Sequence, residues 1–215
     1  MLAPTFAYSD ELEPLNRNIT LADKVDAIHK VVSVRLKDVD RIAAALYDPK
    51  YDLVKTFVDS SADHSPHHYE AKLSESRSLE EIQQTGRPRV VNDLAIVDGS
   101  TDLQTSRFAD QGYGSSYTMP MFSDGNFFGF LFFDSFQKNR FDPSTLHSVD
   151  VFGHLTALVI IHELSRLRTF AGAIKAARDL THHRDMETGA HLDRMAYFAR
   201  LIARELAPRY GLDDT

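Results

Sequence analysis

The sequence predicts an α+β fold in which a central antiparallel sheet is flanked by helices and followed by a long C-terminal helix. Two turn-forming segments, residues 48–52 and 123–126, each separate a pair of strand-like runs. Residues 19–36 repeat apolar side chains every three or four positions, and a second helical pattern occupies residues 144–185. Antiparallel strands enclosed between two such helices are typical of an α+β domain.

The first helix is expected over Ile19–Leu36, after an N-terminal tail, residues 1–18, that shows no clear period. Thr20 is the candidate N-cap, because a threonine hydroxyl can accept a hydrogen bond from a backbone N–H of the first turn. The apolar stripe of this helix consists of Leu21, Val25, Ile28, Val32 and Leu36.

Two hairpins carry the predicted sheet. Asp48-Pro49 favours a turn in the first, and Asp124-Gly125 supplies the positive φ that a tight turn requires in the second. The last strand is apolar at nearly every position, so we expect it to be covered on both faces and central in the sheet. The four strands are Arg41–Tyr47, Leu53–Asp59, Ser115–Phe122 and Phe127–Phe136.

The segments between the hairpins are more polar. Residues 60–76 indicate a loop, and Ser78–Glu81 resembles a capping box that begins a short helix. Residues 87–92 then predict a short strand entered through a proline. The stretch 93–114 predicts a loop with a short helix at about 103–110.

The long C-terminal helix has no strong breaker between Ser144 and Asp185. Beyond the part that a sheet can cover, an apolar stripe continues at spacings of three and four, as in a coiled coil. We therefore expect a parallel homodimer formed through the N-terminal and C-terminal helices. The continuing stripe consists of Leu167, Phe170, Ile174 and Ala177.

Composition excludes several classes of function. The chain has no cysteine, which excludes disulfides, thiolate metal sites and thioether-linked chromophores. Its net charge of -7 argues against broad binding to nucleic acid or to anionic lipid. No run approaches the roughly 18 to 20 apolar residues of a membrane span, and no signal peptide is present, so we expect a cytoplasmic protein.

Three phrases make residues 19–164 resemble a GAF domain, a family of sensory modules. They are SLEEIQQTGRPRVVND at 78–93, GSSYTMPM at 114–121 and NFFGFLFF at 126–133. The resemblance implies a small-molecule site between the sheet and the segments over it, although each candidate residue could instead belong to the core or its rim. The candidate ligand-binding residues are Phe108, Tyr113, Ser115, Tyr117, Met119 and Asp134.

The GAF ligand stays unidentified at this point. Known GAF ligands include cyclic nucleotides, haem and bilins, of which only a covalently attached bilin is excluded, by the absence of cysteine. The motif of cyclic-nucleotide-binding GAF domains is only faintly echoed by Lys138, Phe141 and Asp142. An unidentified small molecule, or no ligand at all, is therefore expected.

The phrase THHRDMETGAHLDR at 181–194 resembles the opening of HD-GYP domains. That resemblance implies hydrolysis of cyclic di-GMP at a site of two or three iron or manganese ions, with Glu187 and His191 as metal ligands. Residues four apart lie on one helix face, which suits that role. The other expected ligands do not follow within the chain, so we expect this chain to be inactive by itself.

These expectations divide the chain into an N-terminal tail (1–18), a GAF sensory domain (19–164), a connecting signalling helix (165–182) and the truncated start of an HD-GYP domain (183–215). The favoured function is control of a cyclic di-GMP phosphodiesterase by the GAF module. The alternative is a stand-alone ligand-binding or dimerisation protein with a non-catalytic helical tail.

Overall fold

The computed structural model describes residues 9–60, 70–96, 111–184 and 186–207, and for 181–184 and 186–189 it describes the backbone only. The chain divides into two compact units, Met1–Ile161 and His162–Thr215, and the boundary falls within the long helix. The helices are α1 (Leu21–Arg35), α2 (Arg77–Thr85), α3 (Pro143–Arg184) and α4 (Met186–Leu206). The strands are β1 (Arg41–Asp48), β2 (Leu53–Asp59), β3 (Glu70–Lys72), β4 (Arg89–Val91), β5 (Ser115–Ser123) and β6 (Asn126–Ser135).

The six strands form one antiparallel sheet in the order β3-β2-β1-β6-β5-β4. The predicted α+β fold and the central position of the apolar strand are both confirmed, because β6 lies between β1 and β5. Consecutive residues of β6 are buried on opposite faces, as the sequence predicted from its unbroken apolar run. These residues are Phe130, Leu131, Phe132 and Phe133.

The two faces of the sheet have different covers. One face, here called the helix face, packs against α1 and the first half of α3, where Val25, Ile28 and Val149 are fully buried. The other, here called the loop face, packs against α2 and the segment around Leu94. The loop-face core is built from Ala43, Ala45, Val54, Leu73, Leu79, Ile82, Leu94, Phe130 and Phe132.

Local signals explain most element ends. Thr20 caps α1 as predicted, since its Oγ1 accepts a hydrogen bond from the Asp23 N–H at 3.1 Å. In the second hairpin, Asp124 and Gly125 have φ of 50° and 78°, so the predicted positive-φ turn is confirmed. At the start of α2 the prediction is wrong, because Ser76 rather than Ser78 is the N-cap and its Oγ accepts from the Leu79 N–H.

Two further differences concern the polar segments. Residues 60–76 were expected to be loop, but Glu70–Lys72 forms the edge strand β3, which pairs with β2. Three residues with alternating polarity give too short a pattern to identify a strand, and pairing with β2 decides the outcome. The short helix predicted at 103–110 lies outside the described residues.

Candidate functional site

Four polar side chains form a buried cluster on the loop face, here called the charged cluster. The Arg41 guanidinium contacts Asp134 Oδ2 through Nη1 at 3.0 Å and Asp59 Oδ2 through Nε at 2.7 Å. Ser116 Oγ donates a hydrogen bond to the other oxygen of Asp134 at 2.6 Å. Asp134 is fully buried and Arg41 is 4% exposed, so charge is concentrated where the sheet is otherwise apolar.

Strand register places these residues together. Arg41 is the first residue of β1 and pairs with Asp134 of β6, which in turn pairs with Ser116 of β5. Side chains of directly opposite residues project from the same face of a sheet. Asp59, at the end of β2, pairs with Ala43 and completes the set from the other side of β1.

Burial and charge alter the acid–base properties of the cluster in opposing ways. Burial raises the pKa of Asp134, although the charge of Arg41 and the hydrogen bond from Ser116 favour its ionised form. Burial alone would lower the pKa of Arg41, but the charges of Asp134 and Asp59 outweigh it and raise that pKa. The guanidinium therefore stays protonated, and Asp134 is the member whose charge is most costly to bury.

Tyr113 borders the charged cluster. Its ring stacks on Phe136 with centroids 4.8 Å apart, and Arg41 Cζ lies 5.8 Å from its centroid. Burial raises the pKa of the Tyr113 hydroxyl to about 12, which the positive charge of Arg41 partly opposes. Tyr113 therefore presents a neutral hydroxyl and an aromatic face beside a buried ion pair.

The other described candidates lie on the helix face. Tyr117 Oη donates a hydrogen bond to Asp150 of α3, and Met119 Sδ lies where a Cβ on Gly153 of α3 would be. Ser115 Oγ donates to the Gln137 carbonyl at 2.6 Å. Burial and the hydrogen bond to Asp150 raise the pKa of Tyr117, so its hydroxyl remains a donor.

The five described residues among the six predicted ligand-binding residues therefore do not converge. Asp134 and Tyr113 meet at the charged cluster, whereas Ser115, Tyr117 and Met119 occupy the opposite face of the sheet, and Phe108 lies outside the described residues. Alternation along β5 accounts for the split, because residues 115, 117 and 119 share one face and 116 and 118 share the other.

Arg41, Asp59 and Ser116 were missed by the sequence analysis. A signal for Arg41 exists, since it shares a strand face with Ala43 and Ala45, small residues at which a sheet can be closely covered. Asp59 and Ser116 gave no comparable signal, because short polar residues at strand ends usually face solvent. Only the pairing of β1 with β6 and β2 brings the charges together.

Comparison with protein families identifies the family to which this sheet and its flanking helices belong. The GAF domain profile matches residues 22–160, which is more than half of the chain. The chain belongs to the GAF family. No curated protein matches it.

Solved structures share the GAF fold at low sequence identity. The GAF domain from Acinetobacter phosphoenolpyruvate-protein phosphotransferase is 16% identical, with a TM-score of 0.54 over 74% of this chain and 92% of that chain. The GAF domain of a two-component sensor histidine kinase from Bacillus halodurans is 17% identical, with a TM-score of 0.54 over 68% and 97%. Free methionine-R-sulfoxide reductase from Neisseria meningitidis, solved with its substrate, is 16% identical, with a TM-score of 0.52 over 79% and 99%. These likenesses establish the fold.

Outside the GAF domain, the predicted metal ligands lie on α4. Glu187 belongs to the part of α4 described by its backbone only, and His191 is exposed. Within the described residues, no three metal-binding side chains come together. The residues present can supply at most two ligands one helical turn apart, so the described part of the chain does not complete a metal centre.

The long helix also passes a test of length and composition for a membrane span. Among the described residues, Pro143–Leu180 is the one such helix, with a mean hydropathy of 1.4 in its most apolar window. A third of that window, 33%, is buried within the protein. A helix packed in the core of a globular domain passes the same test, so this indication is weak.

Proposed function

We propose that the chain is the dimeric sensory module of an HD-GYP-type cyclic di-GMP phosphodiesterase. The GAF domain is the proposed sensor. The match to the GAF family ends at residue 160, whereas α3 continues to Arg184. The resemblance of residues 181–194 to an HD-GYP opening supports the identity of the output domain. In this arrangement a change in the GAF domain reaches the catalytic domain through α3.

The single observation that carries the proposal is the exposure of three large apolar side chains on the second half of α3. Leu167, Phe170 and Ile174 are 64%, 68% and 56% exposed. Burying one such side chain contributes about 1.5 to 3 kcal/mol. A second copy of the same helix, parallel and related by a two-fold axis, covers the stripe with an identical one and brings both output domains to the same end.

The outer surface of α1 supports its participation in the dimer. Val34 is 71% exposed and borders a groove of about 380 Å³ between α1 and the short 3-10 helix Glu13–Asn16. Pro14 and Ala27 contribute apolar surface to the same groove, and its rim is charged, with Glu11, Asp23, Asp26 and Lys30. Apolar surface at a helix that begins the domain is suited to burial between two copies.

The proposed ligand of the GAF domain is a small molecule bound on the loop face beside the charged cluster. Buried groups with displaced pKa values are concentrated at functional sites, and Asp134 and Tyr113 are two of them. The similar methionine-R-sulfoxide reductase from Neisseria meningitidis binds its substrate on the same fold. A thermal-shift screen of small molecules against the wild-type chain tests this site. A molecule that raises the melting temperature of the wild type should not raise that of Asp134→Asn.

In the intact phosphodiesterase, Glu187 and His191 would be two of the ligands of an iron or manganese centre. Such a centre holds phosphate oxygens and activates a water molecule when it is bound. Because two side chains cannot hold a multinuclear centre, we expect no cyclic di-GMP hydrolysis by the 215-residue chain with either metal added. Turnover above a buffer blank would show that the chain forms a complete site.

The dimer is tested by a charge in the stripe. Ile174→Glu should shift the chain toward monomer in sedimentation velocity at tens of micromolar, because two carboxylates would meet in an apolar contact. Ala176→Glu adds the same charge to an exposed position that the stripe does not include, so it should leave the dimer intact. A wild-type monomer, or an Ile174→Glu dimer, would refute the assignment of the stripe.

A further inference from the structure

The first turns of α3 are attached to β5 at two points. Tyr117 Oη donates a hydrogen bond to Asp150, and the Tyr117 ring, which is 2% exposed, is enclosed by Phe133 and Phe141. One helical turn later, Gly153 leaves room for Met119, the next residue on that face of β5. The strand therefore holds the second and third turns of α3 by a polar and an apolar contact.

The same strand also holds the charged cluster. Ser116, whose Oγ donates to Asp134 at 2.6 Å, is the residue immediately before Tyr117. Adjacent residues of a strand project from opposite faces and share one peptide plane. A displacement of Ser116 on the loop face therefore moves the backbone that carries Tyr117 on the helix face.

We propose that residues 116 and 117 of β5 couple the charged cluster to α3, with the Tyr117–Asp150 hydrogen bond as the point of transmission. A change in the position or charge of Asp134 displaces Ser116 and the backbone of β5. That displacement alters the hydrogen bond from Tyr117 to Asp150. The Asp134 carboxylate accepts hydrogen bonds from Arg41 and Ser116, and its main-chain carbonyl accepts one from the Asp40 N–H. Phe133, the β6 residue before Asp134, also contacts the Tyr117 ring and lies beside Gly153 of α3. The Tyr117→Phe variant keeps the ring, so it tests whether the hydroxyl is the point of transmission. This inference rests on the proposed function, in which α3 carries the signal.

The start of α3 is fixed separately from this coupling point. Asn92 accepts a hydrogen bond from the Phe141 N–H at 3.1 Å and donates one to the Phe141 carbonyl at 3.2 Å. These bonds hold the residue before the helix cap in place. Weakening the contact at Asp150 therefore loosens the second and third turns of α3 while its first residue stays anchored.

Hydrogen exchange of backbone amides tests the coupling. Residues 149–156 of α3 are compared with residues 25–32 of α1, which packs on the same face of the sheet and reports any general loss of stability. Asp134→Asn should accelerate exchange in α3 by about fivefold or more relative to α1, the lower end of typical coupling between sites. In a Tyr117→Phe background, Asp134→Asn should add no selective change beyond about twofold, because the point of transmission is gone.

Two further variants keep the test decisive. Thr118→Val alters the next loop-face residue of β5 without removing a bond to Asp134, and it should leave the α3-to-α1 ratio unchanged. If Asp134→Asn does not fold, Ser116→Ala replaces it, since it removes the hydrogen bond between Ser116 and the Asp134 carboxylate directly. Equal acceleration of both helices, a selective effect of Thr118→Val, or a full effect of Asp134→Asn without the Tyr117 hydroxyl would each overturn the coupling.

The outcome is separable from that of the dimer. All exchange measurements are repeated in the Ile174→Glu background, where the ratio of α3 to α1 depends on contacts within one GAF domain. A selective effect that persists there supports the coupling even if the wild-type chain proves monomeric. If Asp134→Asn causes no selective acceleration of α3 while the wild-type chain is a dimer, the coupling is refuted and the proposed dimer is still supported.

Discussion

The two halves of α3 use the same spacing of side chains and differ in what covers them. In the first half, Val149, Thr156 and Ile160 are fully buried within the GAF unit. In the second half, Leu167 and Ile174 continue at the same intervals of three and four residues, yet more than half of each side chain is exposed. Periodicity therefore identifies a stripe that needs a cover, but it does not say whether a sheet or another helix provides it.

The sheet comes closest to the covered half at Gly153. The covered half carries Gly153 and Thr156 in its stripe, where the sheet approaches closely enough for Met119 to occupy the space beside Gly153. The exposed half carries Leu167, Phe170 and Ile174, the large side chains that fill holes between paired helices. The sheet covers the first half, where the large side chains Val149 and Ile160 are also fully buried, whereas the proposed dimer would supply a helical cover for the second half.

The largest expected effect comes from breaking the sheet that covers the first half. Arg41→Met leaves Asp59 and Asp134 buried without their shared cation, and removing one partner of a buried ion pair costs about 3 to 5 kcal/mol. Arg35→Met, which removes an exposed arginine paired with Glu11, is the matched control and should change little. Urea unfolding of both variants measures the difference. Equal midpoints would show that the charged cluster does not support the fold.

A smaller and more direct test uses the same substitution in each half. Ile160→Ala empties a fully buried position and should lower the free energy of unfolding by about 2 to 5 kcal/mol. Ile174→Ala makes the identical change at a side chain that is 56% exposed, and in the monomeric state it should alter stability by about 0.5 kcal/mol or less. Similar losses at the two positions, both measured in the monomeric state, would show that the exposed half of α3 supports the fold as much as the buried half does.

The sequence predicts the parts of the fold that depend on neighbouring residues and misses those that depend on distant pairing. The stripe of α1, the cap at Thr20, the turn at Asp124-Gly125 and the central place of β6 depend on residues close in sequence, and all are confirmed. The edge strand β3 was missed because three residues gain their structure from pairing with β2 rather than from their own pattern.

The site was predicted less completely than the fold. The sequence indicates Asp134, but its partner Arg41 lies 93 positions away, and Asp59, which pairs with Arg41, lies 75 positions away. These residues meet only through the order of strands in the sheet. Tyr117 and Met119 were placed with Asp134, although strand alternation directs them to the opposite face. Sequence indicates which residues are buried, whereas the choice of face requires knowing which strands are neighbours.

The smallest expected effect concerns the cap that begins the covered half. Asp142 Oδ1 accepts hydrogen bonds from the Thr145 N–H at 2.8 Å and from Ser144 Oγ at 2.7 Å, with Pro143 as the first helical residue. These bonds lower the pKa of Asp142 to about 2, from an ordinary 3.8. Because the pKa of Asp142 is lower in the folded state than in the unfolded state, the carboxylate stabilises the protein at pH values above about 4. This stabilisation is lost as the pH falls from about 4 through about 2.

Asp142→Asn keeps an oxygen acceptor without the charge, so its melting temperature should lie slightly below that of the wild type at pH 7. The two should converge as the pH approaches 2. Asp142→Ala, which lacks the acceptor as well, should be less stable than Asp142→Asn at every pH. If instead Asp142→Asn differs from the wild type equally at pH 7 and pH 3, the carboxylate charge does not hold the start of α3, and its neutral contacts alone position the covered half.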